Sequence, residues 1–216
     1  MTTTLDAEAT LADFQTLSYH SHEHVWDKEQ NQQLAAAWAR DDTVDSWRHL
    51  RMRQLLDPLL RTFASASWVT VGDGRYGTDA HYLEQHGADV MATDIGDGLL
   101  RKAYAEGFIH KYRKENAEQL SFADGSFDFA LCKEAYHHMP RPMLAVYEML
   151  RVARRAIVLI EPDQTPVLVG PRLFIRRLLK AALIRVGFGR FFRDRSIRLI
   201  DFGGNWFEDA GNFGYT

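Results

Sequence analysis

The sequence predicts an α/β fold: a doubly wound, mostly parallel sheet preceded by an N-terminal helical segment. Three observations carry that prediction. From Trp68 to Ile160, short β-branched or apolar runs alternate with stretches of helical periodicity, the pattern of parallel strands joined by crossover helices. A glycine-rich turn, G-D-G-R-Y-G at 72–77, closes the first apolar run, and the second run ends on an acid, Asp94. Right-handed crossovers then set a ligand crevice at the carboxyl ends of the strands.

Taken in order, residues 1–19 read as a loosely ordered lead-in. From Trp26 to Leu60 apolar residues recur at helical spacing (Leu34, Trp38, Trp47, Leu50, Leu55, Leu59), interrupted by Arg40-Asp41-Asp42, with Pro58 near a helix end. Strands are expected at 68–71, 89–93, 109–113, 127–132 and 156–160, with helices near 78–86, 97–106 and 142–153. Thr78 suits an N-cap, Asp79 the positive helix end and Gly87 the C′ position. The division expected is an N-terminal helical lid or lead-in over 1–60 and a ligand-binding domain over 61–216.

A chain of 216 residues, 46% hydrophobic, supports one sizeable core. The net charge of −3 exerts no overall pull on nucleic acid or anionic membrane, yet residues 1–150 carry −9 and residues 151–216 carry +6. A single cysteine, Cys132, allows no intrachain disulfide. With no secretory signal pattern at the start and no long apolar run, the expectation is a soluble, cytoplasmic protein.

In the glycine turn, Gly72 permits a sharp exit from the strand, Gly74 lets backbone approach a ligand, and Gly77 lets the helix pack closely. Amides near the helix start can bond polar ligand atoms. A carboxylate at Asp94 can accept from two ribose hydroxyls. These residues suit NAD and S-adenosylmethionine equally.

Downstream residues separate the two. The stretch Trp68–Pro162 resembles the class I S-adenosylmethionine-dependent methyltransferases, of the methyltransferase domain type 11 kind, in several motifs and in their order. V-G-D-G-R-Y-G is similar to the family's glycine loop and A-T-D-I at 92–95 to its ribose-binding acid. N-A-E-Q-L-S-F at 116–122 resembles the adenine-edge segment. S-F-D-F-A-L-C-K-E-A-Y-H-H-M at 126–139 resembles the fourth strand and acceptor-facing loop, and E-M-L-R-V-A-R-R-A-I-V-L-I-E-P the following helix and fifth strand. The resemblance implies a Rossmann-like fold with Gly72, Asp73, Gly74 and Gly77 at the cofactor. It implies Asp94 on the ribose, Ile95 on the adenine face, and Asn116, Ala117 and Glu118 at the adenine edge. Lys133 and Glu134 would lie near the methionine moiety. Two positions depart from the family: Thr70 stands where an acid is usual, with Asp73 available to compensate, and Asn116 replaces a frequent Asp. A hydride-transfer constellation such as Y-x-x-x-K is absent, which leaves an NAD-dependent oxidoreductase as the minority reading. A non-catalytic cofactor-binding or scaffold protein of the same fold is the third.

Methyl transfer to oxygen needs a proton removed, and His137 or His138, beside Glu134 and Tyr136, is the expected general base. The acceptor expected is a small molecule or glycan. His20, His22 and His24 alternate, but no strand pattern surrounds them, so no metal is expected. The segment 38–53 reads as a lid, with Arg51 or Arg53 facing the methionine carboxylate and Trp38 and Trp47 packing on the core. Residues 172–198 hold nine Arg or Lys and one acid, Asp194. They form an amphipathic basic helix from about Pro171 to Gly187, preferred as a crossover helix over contact with an anionic lipid surface. Nucleic-acid binding is not expected. The glycine- and aromatic-rich end lacks two recognisable closing strands, so the sheet is either shortened or completed otherwise, for instance by a second subunit.

Overall fold

A computed structural model of the chain describes residues 11–24, 40, 42–161 and 179. The described residues up to Glu161 lie in one compact unit; Leu179, helical and exposed, is the one described residue of a second. The first unit holds a sheet of β1 Ser67–Val71, β2 Asp89–Asp94, β3 Tyr112–Lys114, β4 Phe127–Lys133 and β5 Ala153–Ile160. All four neighbouring pairs are parallel, in the order β3-β2-β1-β4-β5. Ahead of it come α1 Leu11–Glu23, α2 Val44–Arg53 and α3 Asp57–Thr62; the crossovers are α4 Thr78–Gln85, α5 Gly98–Ala105 and α6 Pro142–Val152. Strand order reverses between β1 and β4, which opens a crevice at their carboxyl ends.

The central strand explains the two-sided core. A parallel strand covered on both faces must be apolar on both, and Trp68 to Val71 are all buried. Trp68 stacks on Phe129, ring centroids 4.6 Å apart, in a cluster with Leu56, Leu60, Leu83, Leu100 and Ile109. Val69 and Val71 point the other way, against Ala130, Cys132, Met149 and Val152. The register Trp68↔Phe129 and Val69↔Ala130 puts large residues beside large ones and small beside small on each face.

Gly87 takes the expected C′ position, with φ +85 and its amide on the Glu84 carbonyl at 2.9 Å. Other local expectations need correction. Part of the supposed lead-in, Leu11 onward, is helical as α1. The third strand begins at Tyr112 rather than 109, because Ile109 is drawn into the core, against Gly77, before the chain straightens beside β2. The N-cap of α4 is Gly77 in the left-handed region, not Thr78. Asp73 supplies the capping acceptor, bonding the Asp79 and Ala80 amides at 3.2 and 2.9 Å. On α2 the buried face is not the apolar one: His49 is buried, whereas Trp47 is 62% exposed and Leu50 is exposed, as is Leu55 in the turn that follows. Trp38, the expected basic helix apart from Leu179, and the glycine-rich end lie outside the described residues.

Candidate functional site

The glycine turn is built around the end of β2. The Thr93 carbonyl accepts from the Gly72 and Asp73 amides at 3.0 and 2.9 Å. The Asp94 carboxylate accepts from Gly74 N at 2.9 Å and Gly96 N at 2.8 Å. A Cβ on Gly74 would stand 2.7 Å from Asp94 Oδ2, so glycine is needed there to admit the acid. Gly72 has φ +79, and a Cβ on it would run into that of Ala135. Burial pushes the Asp94 carboxyl up to about 6, against the pull of the amides. Ile95 is half-buried between Asp94 and Gly96. The Asp73 carboxylate turns inward: besides capping α4 it accepts from the Thr70 hydroxyl at 3.0 Å. Burial and the Asp79 carboxylate push it up to about 8. Thr70 and Asp73 are thus a bonded pair beneath the loop.

At the mouth of β4, Lys133 and Glu134 meet a charged network from α2. Glu134 has φ +52, strained for a residue with a side chain. Its carboxylate is held by Arg48 at 2.9 Å and lies 3.2 Å from His49 Nδ1. His49 is the hub: Lys133 Nζ lies 3.0 Å from Nδ1, while the Arg48 and Arg75 guanidiniums lie 2.9 and 2.6 Å from Nε2. Burial and those three cations push His49 down to about 3, so it stays neutral and accepts. Lys133 also reaches Asp79 at 3.4 Å, and Arg53 bonds Asp79 and Thr78, both at 2.7 Å. Arg53 therefore braces the start of α4, and Arg51 is exposed on α2. Sequence reading missed Arg48, His49 and Arg75, although Asp45, Arg48 and His49 at i, i+3 and i+4 form a polar helical stripe inside an apolar segment.

The turn after β3 is similarly self-bonded. Asn116 Oδ1 accepts from the Glu118 amide at 3.0 Å, and Ala117 packs on the inner core. The buried Glu118 carboxylate binds Arg141, through its amide at 2.7 Å and side chain at 2.6 Å, and the Tyr19 hydroxyl of α1 at 2.6 Å. Glu23 pairs with Lys114, and the Glu23 carbonyl leaves room at Gly96 only for hydrogen. Helix α1 therefore crosses the carboxyl ends of β2, β3 and β4 as a strap. Tyr19 and Arg141 carried no motif signal in the sequence.

Beyond β4 the turn Tyr136–His138 begins where Ala135 rests on Gly72. His137 Nδ1 lies 2.5 Å from Glu161 Oε2, and Glu161 Oε1 accepts from the Tyr136 amide at 3.1 Å. The His138 ring is 4.0 Å from that of His137 and 5.7 Å from that of His22, on α1. Burial, then the neighbouring imidazoles, push His138 down to about 3. Helical geometry splits the N-terminal histidines: His20 and His24 meet edge to face at 4.5 Å, while His22 turns toward the crevice. Among the described residues no group of three or more His, Cys, Asp and Glu is placed to hold a metal ion. Nor is any described helix long and apolar enough to cross a membrane.

The structure thus gathers the glycine turn, Asp94, Asn116–Glu118, Lys133–Glu134 and His137–His138 at one end of the sheet. Residues 69–160 match the family model described as "Methyltransferase domain". Uncharacterized proteins of Mycobacterium bovis and Mycobacterium tuberculosis are each 32% identical over 123 residues, 52% of this chain. The match spans 45% of the length of those relatives. Among solved structures, an S-adenosylmethionine-dependent methyltransferase of Methanosarcina mazei is similar at 25% identity and TM-score 0.45, over 56% of this chain and 64% of that one. The PH0226 protein of Pyrococcus horikoshii OT3 is similar at 22% identity and TM-score 0.48, over 64% and 65%. The family match and the strand order are consistent: residues 69–160 match a methyltransferase-domain model, and the parallel order β3-β2-β1-β4-β5 is that of a Rossmann-like sheet.

Proposed function

We propose that the protein is an S-adenosylmethionine-dependent methyltransferase acting on a small-molecule or glycan-type acceptor. The observation that carries the reading is Asp94: a carboxylate raised by burial, held at the crevice by two backbone amides, with no cation bonded to it among the described residues. Such a group favours neutral hydroxyl donors, and a ribose diol supplies two of them. The glycine backbone, which admits no side chain at Gly72 or Gly74, suits the amino-acid portion of the cofactor. The main chain of Asn116–Glu118 suits the adenine edge, since both side chains are already committed to the protein.

When bound, the cofactor supplies an electrophilic methyl group. The residues around it bind, orient and exclude water. The α1 strap would limit solvent at the crevice, and the α2 network would hold Lys133 and Glu134 at the mouth of β4. The test is calorimetric titration of the whole chain with S-adenosylmethionine and with NADH. Heat from the first and none from the second is expected; the reverse would return the oxidoreductase reading. Transfer of labelled methyl to host metabolites would then exclude a non-catalytic scaffold.

A further inference from the structure

We infer that the acceptor presents a hydroxyl group, deprotonated by His137 and not His138, with Glu161 as the positioning residue that makes His137 a base. The inference rests on the methyltransferase reading above and names the class of its acceptor.

The geometry distinguishes the two histidines. A carboxylate only accepts, so the 2.5 Å contact between His137 Nδ1 and Glu161 Oε2 puts the ring proton on Nδ1 and the lone pair on Nε2. Glu161 is itself held in place: it follows β5 directly, and its other oxygen accepts from the Tyr136 amide. One carboxylate thus fixes both the backbone of the turn and the tautomer of its second residue. The His137 side chain is 24% exposed, so a ligand can reach it. The flanking residues Ala135 and Met139 rest against Gly72, which sets the turn beside the glycine loop. His138 has the opposite surroundings, packed between the His137 and His22 rings and kept neutral by burial. It shapes the wall and leaves proton transfer to its neighbour.

An imidazole whose tautomer is fixed by an adjacent carboxylate, leaving Nε2 to take a proton, suits an oxygen nucleophile, whereas a neutral amine attacks without a base. In the step, the acceptor O–H bond breaks and its proton passes to His137 Nε2. The oxygen pair forms the bond to the methyl carbon as the carbon–sulfur bond of the methylsulfonium donor breaks, leaving its pair on sulfur. The imidazolium, paired with Glu161, then releases the proton to water.

Two measurements test this, one independent of turnover. Nitrogen-15 spectra of the whole ligand-free protein should show neutral His137 as the Nδ1–H tautomer in wild type, and Glu161→Leu should convert it to Nε2–H. An Nε2–H tautomer in wild type overturns the dyad whatever the cofactor proves to be. Next, labelled S-adenosylmethionine is incubated with fractionated host metabolites and the labelled product identified. A methyl group on oxygen is expected; a principal product methylated on nitrogen, carbon or sulfur overturns the acceptor class. On the oxygen acceptor, His137→Ala should lower kcat about 10²–10⁴-fold, with S-adenosylmethionine binding by calorimetry unchanged and partial rescue by added imidazole. Glu161→Gln should lower kcat with little change in KM, and Glu161→Asp should recover part of it. Full activity of His137→Ala sinks the proposal, whereas loss of cofactor binding in wild type sinks the methyltransferase reading and leaves the tautomer result standing.

Discussion

At Gly74 one missing methyl group decides whether an acid can stand at the crevice. A Cβ there would lie 2.7–3.0 Å from three atoms of the Asp94 carboxylate, closer than packed atoms tolerate. Gly74→Ala should therefore displace Asp94 and break the hydrogen bond that the Gly74 amide donates to it. The expected stability cost is that of overpacking, about 1–3 kcal/mol. The expected loss of S-adenosylmethionine affinity is larger, about 100-fold or ~2.7 kcal/mol, because the residue that would receive the ribose has moved. Calorimetric titration beside chemical denaturation measures both. Equal affinity in the variant would show that Asp94 does not touch the ligand. Glycine spacing and the acid were both legible in the sequence; their direct mutual contact was not, since residues 20 apart in the chain meet only when β1 and β2 pair.

Two N-terminal elements, α1 and α2, dock through polar contacts, so both respond to conditions the core ignores. For α1, Tyr19→Phe removes the hydroxyl that bonds Glu118 and Arg141. A lost bond of this kind costs about 1–2 kcal/mol, and amide exchange across 15–24 should quicken roughly tenfold while β1 and β4 stay protected. For α2 the sensitive group is His49, facing Arg48 and Asp45 of its own helix, Arg75 of the glycine turn, Lys133 at the end of β4 and Glu134 just beyond it. Its folded value, about 3, lies below the unfolded 6.5, so below pH 6.5 the unfolded chain binds the extra proton. Stability is present above pH 6.5 and is lost as pH falls toward 3. Between pH 7 and 5 the loss from His49 alone is about 2 kcal/mol, with His138 acting in the same direction. Urea unfolding at the two values should show it, and His49→Gln should flatten the dependence. A wild-type curve unchanged between pH 7 and 5 would mean that His49 is not buried against those cations.

At the scale of the whole molecule, a ligand that binds only the folded chain raises stability by mass action. At about 100 times its dissociation constant S-adenosylmethionine should add ~2.7 kcal/mol, seen as a higher unfolding midpoint. Exchange should slow at 72–77, 94–96 and in α1, since these segments enclose the crevice; protection confined to α6 would relocate the site. The sequence by itself determined the parallel sheet, its crossovers, the glycine turn and the acid ending β2, because alternating apolar runs, glycine spacing and strand-end residues are local properties of the chain. Tertiary structure alone decided that Asp73 caps α4 from below the loop, that α2 buries His49 rather than Trp47, that α1 straps the crevice through Tyr19, and that Glu161 meets His137. Each of those is a polar contact between distant segments. Periodicity reports where apolar surface is buried, but which charges find one another is settled only when the strands bring their ends together.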